Sequence, residues 1–354
     1  MLFRSEKAVE KTKGKGGSDP SIVSVGCLGY CAAEPLVVVA MPGKPALLFT
    51  KVQPKEATAL VEAARDPKLL EKLVKKAEGK FESWDFRTSK LDFGEGFPEL
   101  RHWNEIPFFD GQEKVVLRDA GMINPDDIDE YIAVGGYGSL VQAIGSMKPT
   151  DVIAEVAKAG LRGRGGAGFP TAMKWKLMAD RQGPEKWVVC NADEGDPGAY
   201  MNRNEIESDP HALIEGMTLG AYAMGATHGF IYVRAEYPLA VERLRKAMAD
   251  AKELGLLGAA ILGTSFSFDL EIVMGAGAFV CGEETALLAS AESKAGRPMP
   301  RPPFPAEKGF RGLPTNINNV ETWCNIPVII AKGGAWYSTR SEEHTSELQS
   351  LSHL

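Results

Sequence analysis

The sequence predicts an α/β protein. A mainly parallel sheet covered by helices spans residues 106–339, and a smaller α+β unit precedes it at 21–78. Three observations carry this. Short apolar runs alternate with longer segments of helical periodicity, the pattern of strands joined by crossover helices. Glycine-rich stretches follow the runs, where open parallel sheets place their ligands. Hydrophobic residues make up 44% and charged residues 25%, the balance of a globular chain.

Residues 1–20 begin with MLFRS and continue charged and glycine-rich, so they are expected to be disordered. Residues 21–25 alternate like a short strand, and Gly26-Cys27-Leu28-Gly29-Tyr30-Cys31 reads as a tight loop. Strands are expected at 36–40 and 46–52 about a turn at Pro42-Gly43, then helices at 55–64 and 67–78. Residues 79–105 mix aromatics, charge and glycine and read as a linker. A short strand at 114–118 precedes a helix at 125–133 with Asn124 as its cap. The next helix, 151–160, has Thr150 as its expected cap. Beyond it, strands at 187–190, 229–233 and 270–273 alternate with helices at 210–224, 238–254 and 283–291. The run RSEEHTSELQSLSHL at 340–354 breaks sharply from what precedes it. It resembles a translated sequencing-library adapter, as MLFRS does, so both ends are expected to be adapter-derived and are left out of the fold.

A net charge of −7 offers no general basic field for nucleic acid. No apolar run reaches the roughly 18 residues of a membrane span, so no direct membrane insertion is expected. Five scattered cysteines argue for a reducing compartment, and the start lacks a secretory core, so the expected location is the cytoplasm.

The chemistry is concentrated in four segments. The first is GLRGRGGAGFPTAMKW at 160–175, with Gly163, Arg164, Gly165, Gly166 and Gly168 ahead of Phe169 and Lys174. Glycine lets backbone N–H groups approach a ligand, and a following helix N-terminus favours phosphate. A helix precedes these glycines, whereas a dinucleotide fingerprint follows a strand, so the loop is not an ordinary Rossmann turn. The second segment, Asn191-Ala192-Asp193-Glu194-Gly195-Asp196-Pro197-Gly198, reads either as a solvated turn or as acceptors for ribose hydroxyls or flavin N–H groups. The third is GAGAFVCGEET at 275–285, containing Phe279, Gly282, Glu283 and Glu284. It is an acidic helix start or part of the same site. The fourth combines Arg301-Pro302-Pro303-Phe304 with PTNINNVET at 314–322. There Asn318 and Asn319 cap the next helix or donate amides to a ligand.

Together these motifs closely resemble the flavin-binding subunit of NADH dehydrogenases, the 51 kDa subunit of respiratory complex I. That family includes the diaphorase subunits of NAD(P)-linked and bifurcating hydrogenases. The resemblance runs from about Pro107 to Tyr337 and implies a Rossmann-like domain binding FMN, with NADH as substrate. It implies that Gly163, Arg164, Gly165, Gly166 and Lys174 line the FMN site, and that Asn191, Asp193 and Glu194 hydrogen-bond the flavin. Gly282, Glu283 and Glu284 approach from another strand end, Phe279 lies beside them, and Asn318 and Asn319 hold the phosphate region. Phe169 and Phe304 sandwich the adenine end of NADH, while Glu284 and Asp196 contact its nicotinamide or ribose portion. Asp196 stands where respiratory subunits usually carry Glu, Phe279 replaces a common Tyr, and Arg301 replaces a frequent Lys. The first of these favours the hydrogenase-linked branch.

GCLGYCAAEPLVVV also resembles the second half of a thioredoxin-like 2Fe–2S domain, with Cys27 and Cys31 as two of four ligands. A half zinc site and plain buried thiols are the alternatives. No cysteine precedes this pair, so the cluster is not expected to be complete here. Cys190, Cys281 and Cys324 read as buried thiols. The family's helical 4Fe–4S domain is expected beyond Tyr337, and its ligands are not in this sequence. The implied function is a hydride-accepting, FMN-dependent NAD(P)H dehydrogenase module. It passes electrons to iron–sulfur clusters and to hydrogenase or quinone-reducing partner subunits, and it sits peripheral to a membrane complex only through them. The respiratory flavoprotein and a silent nucleotide-binding scaffold are the alternatives.

Overall fold

The computed structural model describes residues 22–30, 33–39, 46–64, 66, 68, 81–84, 112–183 and 185–340. Cys31, residues 1–20, the turn at Pro42-Gly43, the helix expected at 67–78 (Lys68 apart), most of the linker at 79–105 and the tail at 341–354 lie outside them. Two compact units divide at Lys114/Val115.

In the first unit, β1 (Val37–Val39), β2 (Ala46–Phe49) and β3 (Phe81–Trp84) form an antiparallel sheet in the order β1-β2-β3. Val38 faces Leu48, and Phe49 faces Phe81. Helix α1 (Pro54–Ala64) buries Ala57, Leu60 and Ala63 on one face. Two expectations change. Residues 22–25 are not a strand, and β3 lies inside the stretch read as linker, where its aromatic content already suited a strand.

The second unit is built on four parallel strands. They are β4 (Trp187–Ala192), β5 (His228–Arg234), β6 (Asp269–Gly275) and β7 (Thr315–Asn319), in the order β6-β5-β4-β7. On β4, Val188, Cys190 and Ala192 enter one core, whereas Trp187 and Val189 enter the other, so the strand is covered on both faces. The helices are α2 (Ile128–Ala133), α3 (Gly138–Ser146), α4 (Pro149–Ala159), α5 (Thr171–Ala179), α6 (Met201–Ser208) and α7 (Pro210–Met224). They continue with α8 (Pro238–Glu253), α9 (Glu284–Ala291), α10 (Pro305–Lys308), α11 (Val320–Lys332) and α12 (Gly334–Ser338).

Helix α7 is buried almost all round, the mark of a central core helix. It reaches α11 through glycine: a Cβ on Gly216 would lie 2.1 Å from the Trp323 carbonyl oxygen, and one on Gly220 would lie 2.3 Å from the Trp323 ring. Trp323 and Trp175 are fully buried with ring centroids 5.5 Å apart. Their indole N–H groups donate to Val189 O at 3.2 Å and to Asn318 Oδ1 at 3.1 Å. The pair therefore ties α5 and α11 to β4 and β7.

The expected strand at 114–118 is instead a series of turns, with Ala120 N–H donating to Leu117 O and Met122 N–H to Asp119 O. Val115 and Val116 are buried by these turns without pairing into a sheet. Helix α2 starts later than predicted and is capped by Asp127, while Asn124 accepts from Asp126 N–H in a turn before it. Pro149 opens α4, and the Asp151 carboxylate, not Thr150, reaches back to Lys148 N–H at 2.9 Å.

Candidate functional site

Strands β4, β5 and β6 step outward in one direction, and β7 returns to the other side of β4. The reversal leaves a crevice at the carboxyl ends of β4 and β7, where open α/β sheets hold ligands. All four motif segments converge on this edge.

The glycine loop closes on itself: Arg162 and Pro170 bridge, Gly163 N–H donates to Phe169 O at 2.9 Å, and Thr171 N–H to Leu161 O at 2.9 Å. Gly166 and Gly168 have φ of +99° and +62°, which glycine adopts without strain. The loop docks at the end of β7, where a Cβ on Gly165 would touch Asn319 Cβ at 3.4 Å and Arg164 N–H donates to Thr322 Oγ1 at 2.9 Å. Arg164 Nε also lies 3.8 Å from Glu321. No side chain caps the start of α5 beyond the loop.

Lys174, half-buried on α5, crosses the crevice to Glu284 Oε2 at 2.9 Å and to Ile317 O at 2.7 Å. Arg301 grips the same acidic pair from outside, with Nη1 2.8 Å from Glu284 and Nη2 2.6 Å from Glu283. The other Glu283 oxygen caps α9 through Thr285 and Ala286 N–H groups and the Thr285 hydroxyl. These donors and Arg301 hold the Glu283 carboxyl below its usual range despite burial. Asn191 Nδ2 donates to Gly282 O at 2.8 Å, stitching β4 to the segment after β6.

Asp193 is buried, and its Oδ2 has no partner among the described residues. Burial raises its carboxyl above the ordinary range, opposed by the nearby Arg234. Asp196 is exposed. Phe169, Phe279 and Phe304 are 46%, 70% and 53% exposed, leaving three aromatic faces outside the core for stacking.

Two side chains have partners that the sequence did not reveal. The Glu194 carboxylate accepts from Asn202 and Arg203 N–H at the start of α6, at 3.0 and 3.1 Å, and from the Tyr237 hydroxyl. Asn318 Oδ1 accepts from Trp175 and from Asn316 Nδ2, whereas Asn319 caps α11 through Glu321 N–H. Sequence reasoning missed Thr322, Trp175, Arg234 and Tyr237; the first two lie inside quoted motifs, and the others lie at the end of β5 and just after it.

It also missed Glu205 on α6, which is 2% exposed with neither carboxylate oxygen partnered among the described residues. Burial first, then the charges of Glu321 and Glu194, holds this carboxyl well above the ordinary 4.5. The folded chain thus keeps a proton that the unfolded chain releases above that value, so this group lowers stability as pH rises. Glu205→Leu is expected to raise stability at pH 8 by about 1–3 kcal/mol and to flatten the decline between pH 5 and 8. Denaturant unfolding at both pH values checks this, and an unchanged slope would contradict it.

In the first unit, Gly29 N–H donates to Cys27 Sγ at 3.2 Å, and Cys27 Sγ–H to Glu34 Oε1 at 3.4 Å. Among the described residues, no three His, Cys, Asp or Glu side chains gather as a metal site. None of the described helices is long and apolar enough to cross a membrane.

A parallel sheet with glycine and acidic loops at its switch point defines the class: an α/β nucleotide-binding domain. Residues 156–328 match the family model of the Nuo51 FMN-binding domain. It is 53% identical over 227 residues to the HndC component of the NADP-reducing hydrogenase of Solidesulfovibrio fructosivorans, covering 64% of this chain and 46% of that protein. It is 48% identical over 240 residues to a component of the NADH-quinone oxidoreductase of Aquifex aeolicus, covering 67% and 56%. The crystal structure of an NAD+-reducing [NiFe]-hydrogenase in the H2-reduced state superposes with a TM-score of 0.53 at 30% identity, over 82% of this chain and 44% of that one. The chain spans about half the length of the curated relatives it matches.

Proposed function

We propose that this chain is the FMN-dependent module of an NAD(P)H dehydrogenase, one that takes hydride from NADH and delivers electrons toward iron–sulfur clusters in partner subunits. The observation that carries the reading is the convergence of the four segments on one sheet edge, with Lys174 bonded across it to Glu284. The residues present fit a flavin mononucleotide. Gly163, Gly165 and Gly166 form a backbone cradle ahead of an uncapped helix start, suited to phosphate. The unpartnered Asp193 oxygen suits a ring N–H.

When bound, FMN supplies an acceptor for two electrons that can be released singly. The chain's own groups then position and screen. Lys174 fixes the Glu284 carboxylate, Asn191 holds the Gly282 backbone, and Asn319 sets the start of α11 beside the glycine loop. Phe169 and Phe304 offer faces to a base, and Glu284 and Asp196 offer acceptors to ribose or carboxamide groups. No protein nucleophile is needed, because hydride transfer depends on geometry and electrostatics. Cys27, together with Cys31, would contribute two of four ligands to a 2Fe–2S cluster, and the first unit is then part of a thioredoxin-like domain. The 53% identity to a hydrogenase component supports the hydrogenase-linked branch over the respiratory one.

Loading with FMN followed by ferricyanide reduction with NADH or NADPH tests the reading. NADH-dependent turnover is expected. Bound flavin with no turnover on either nucleotide would refute the catalytic role, and failure to bind FMN would favour the scaffold. Glu284→Gln is expected to raise the KM for NADH about tenfold or more while FMN affinity falls less than about threefold, the loss of one charge-assisted hydrogen bond to the nucleotide. Equal losses in both would remove Glu284 from the nucleotide site.

A further inference from the structure

Beyond the motif residues, the end of β5 carries an ion pair around which two site loops close. Arg234 Nη2 lies 3.0 Å from Glu236 Oε1, and the Arg234 side chain is 15% exposed. Its other arm, Nη1, donates to the Glu194 carbonyl at 3.2 Å, within the acidic segment that follows β4. The Tyr237 hydroxyl, which can share its one proton between the Glu194 carboxylate and this carbonyl, lies 3.3 Å from each. Two glycines in two different loops make room for this pair. A Cβ on Gly195 would stand 3.1 Å from Arg234 Nη1 and 2.7 Å from the Phe279 ring. A Cβ on Gly277, whose φ is +83°, would stand 2.9 Å from Glu236 Oε1. The loop after β4 therefore meets Arg234 and the loop after β6 meets Glu236, the two members of one ion pair at the end of β5, the strand between them in the sheet.

We propose that Arg234 is a positioning residue that clamps the acidic loop against the Phe279 segment, so that Asp193 and Asp196 are presented together at the ligand crevice. A planar fork can hold a carbonyl and a carboxylate at once, which a lysine ammonium on a flexible stem does less well. The charged and titratable groups facing Asp193 are Arg234 and Glu236 from the β5 end and Tyr232 on β5 itself. Arg234 favours its ionised form and Glu236 opposes it. Replacing the two members of the pair should therefore move Asp193 in opposite directions, an outcome that a purely structural role would not produce.

The inference rests on the flavin reading only for the ligand used as probe, so the test has two readouts. The first is hydrogen exchange in the ligand-free full chain. Arg234→Gln and Arg234→Lys are both expected to speed exchange about tenfold in peptides covering 193–198 and 276–283, leaving β4–β7 unchanged. The second is FMN affinity as a function of pH. Relative to the parent chain, the midpoint is expected to rise in Arg234→Gln, to fall in Glu236→Gln and to stay near its original value in Arg234→Lys. Unchanged exchange in both loops, or midpoints moving the same way in Arg234→Gln and Glu236→Gln, would overturn the proposal. If the parent chain binds no FMN, the flavin reading fails, and the exchange result alone decides on the clamp. Global acceleration of exchange would also count against it, because the residue would then serve the whole sheet.

Discussion

Trp323→Ala is expected to cost about 3–5 kcal/mol of folding stability, among the largest losses a single truncation in this chain can cause. The indole is fully buried, packs at a tilt against Trp175, donates to Val189 O, and lies against the bare backbone of Gly220. Alanine would remove the ring from the junction of α7, α11 and β4 and leave the Val189 carbonyl without that donor. A void at such a junction relaxes only partly, so the cavity cost adds to the lost transfer free energy. Denaturant unfolding measures the change. A loss below about 1 kcal/mol would show that the two helices collapse onto one another and that the glycines do not hold a fixed spacing.

Lys174→Ala is expected to weaken FMN binding about 10–100-fold, the value of one hydrogen bond to a charged group. Lys174 is the cation bonded to both Glu284 and the Ile317 carbonyl, on the crevice side of α5. Without it, Glu284 keeps only Arg301 among the described residues, which approaches from the exposed 301–304 loop, and the carboxylate is drawn toward that side. Flavin fluorescence titration gives the affinity, and the unfolding midpoint shows whether the fold persists. An unchanged affinity in a folded variant would remove Lys174 from the flavin site.

The sheet and its crossover helices were legible because burial on both faces leaves unmistakable apolar runs. Pro210 and Gly225 mark the two ends of helix α7 in the sequence. Strand β7 was not legible. Thr315-Asn316-Ile317-Asn318-Asn319 has one aliphatic residue in five, and its buried polar groups find partners brought in by the fold: Asn318 Oδ1 accepts from Trp175 and Asn316, and Thr315 Oγ1 accepts from Phe310 N–H. The run at 114–118 misled in the opposite sense, since its apolar pattern reflects burial of turns. Lys174, Asp193 and Glu284 were singled out by motif, but motif alone did not show that Glu194 caps α6 or that Asn318 serves Trp175.

The sequence by itself determined the fold class, the four candidate site segments and the family they resemble. Local spacing records where glycine, carboxylate and proline must interrupt regular structure. It also identified the glycines from Gly160 to Gly168 as a loop held between two helices. Only the tertiary structure decided which carboxylates remain available to a ligand. Glu194 and Asp193 are adjacent in the chain, yet one accepts the first amides of α6 and the other keeps a buried oxygen without a partner among the described residues. That difference is set by groups brought in from α6 and the end of β5, at sequence separations over which no local pattern carries information.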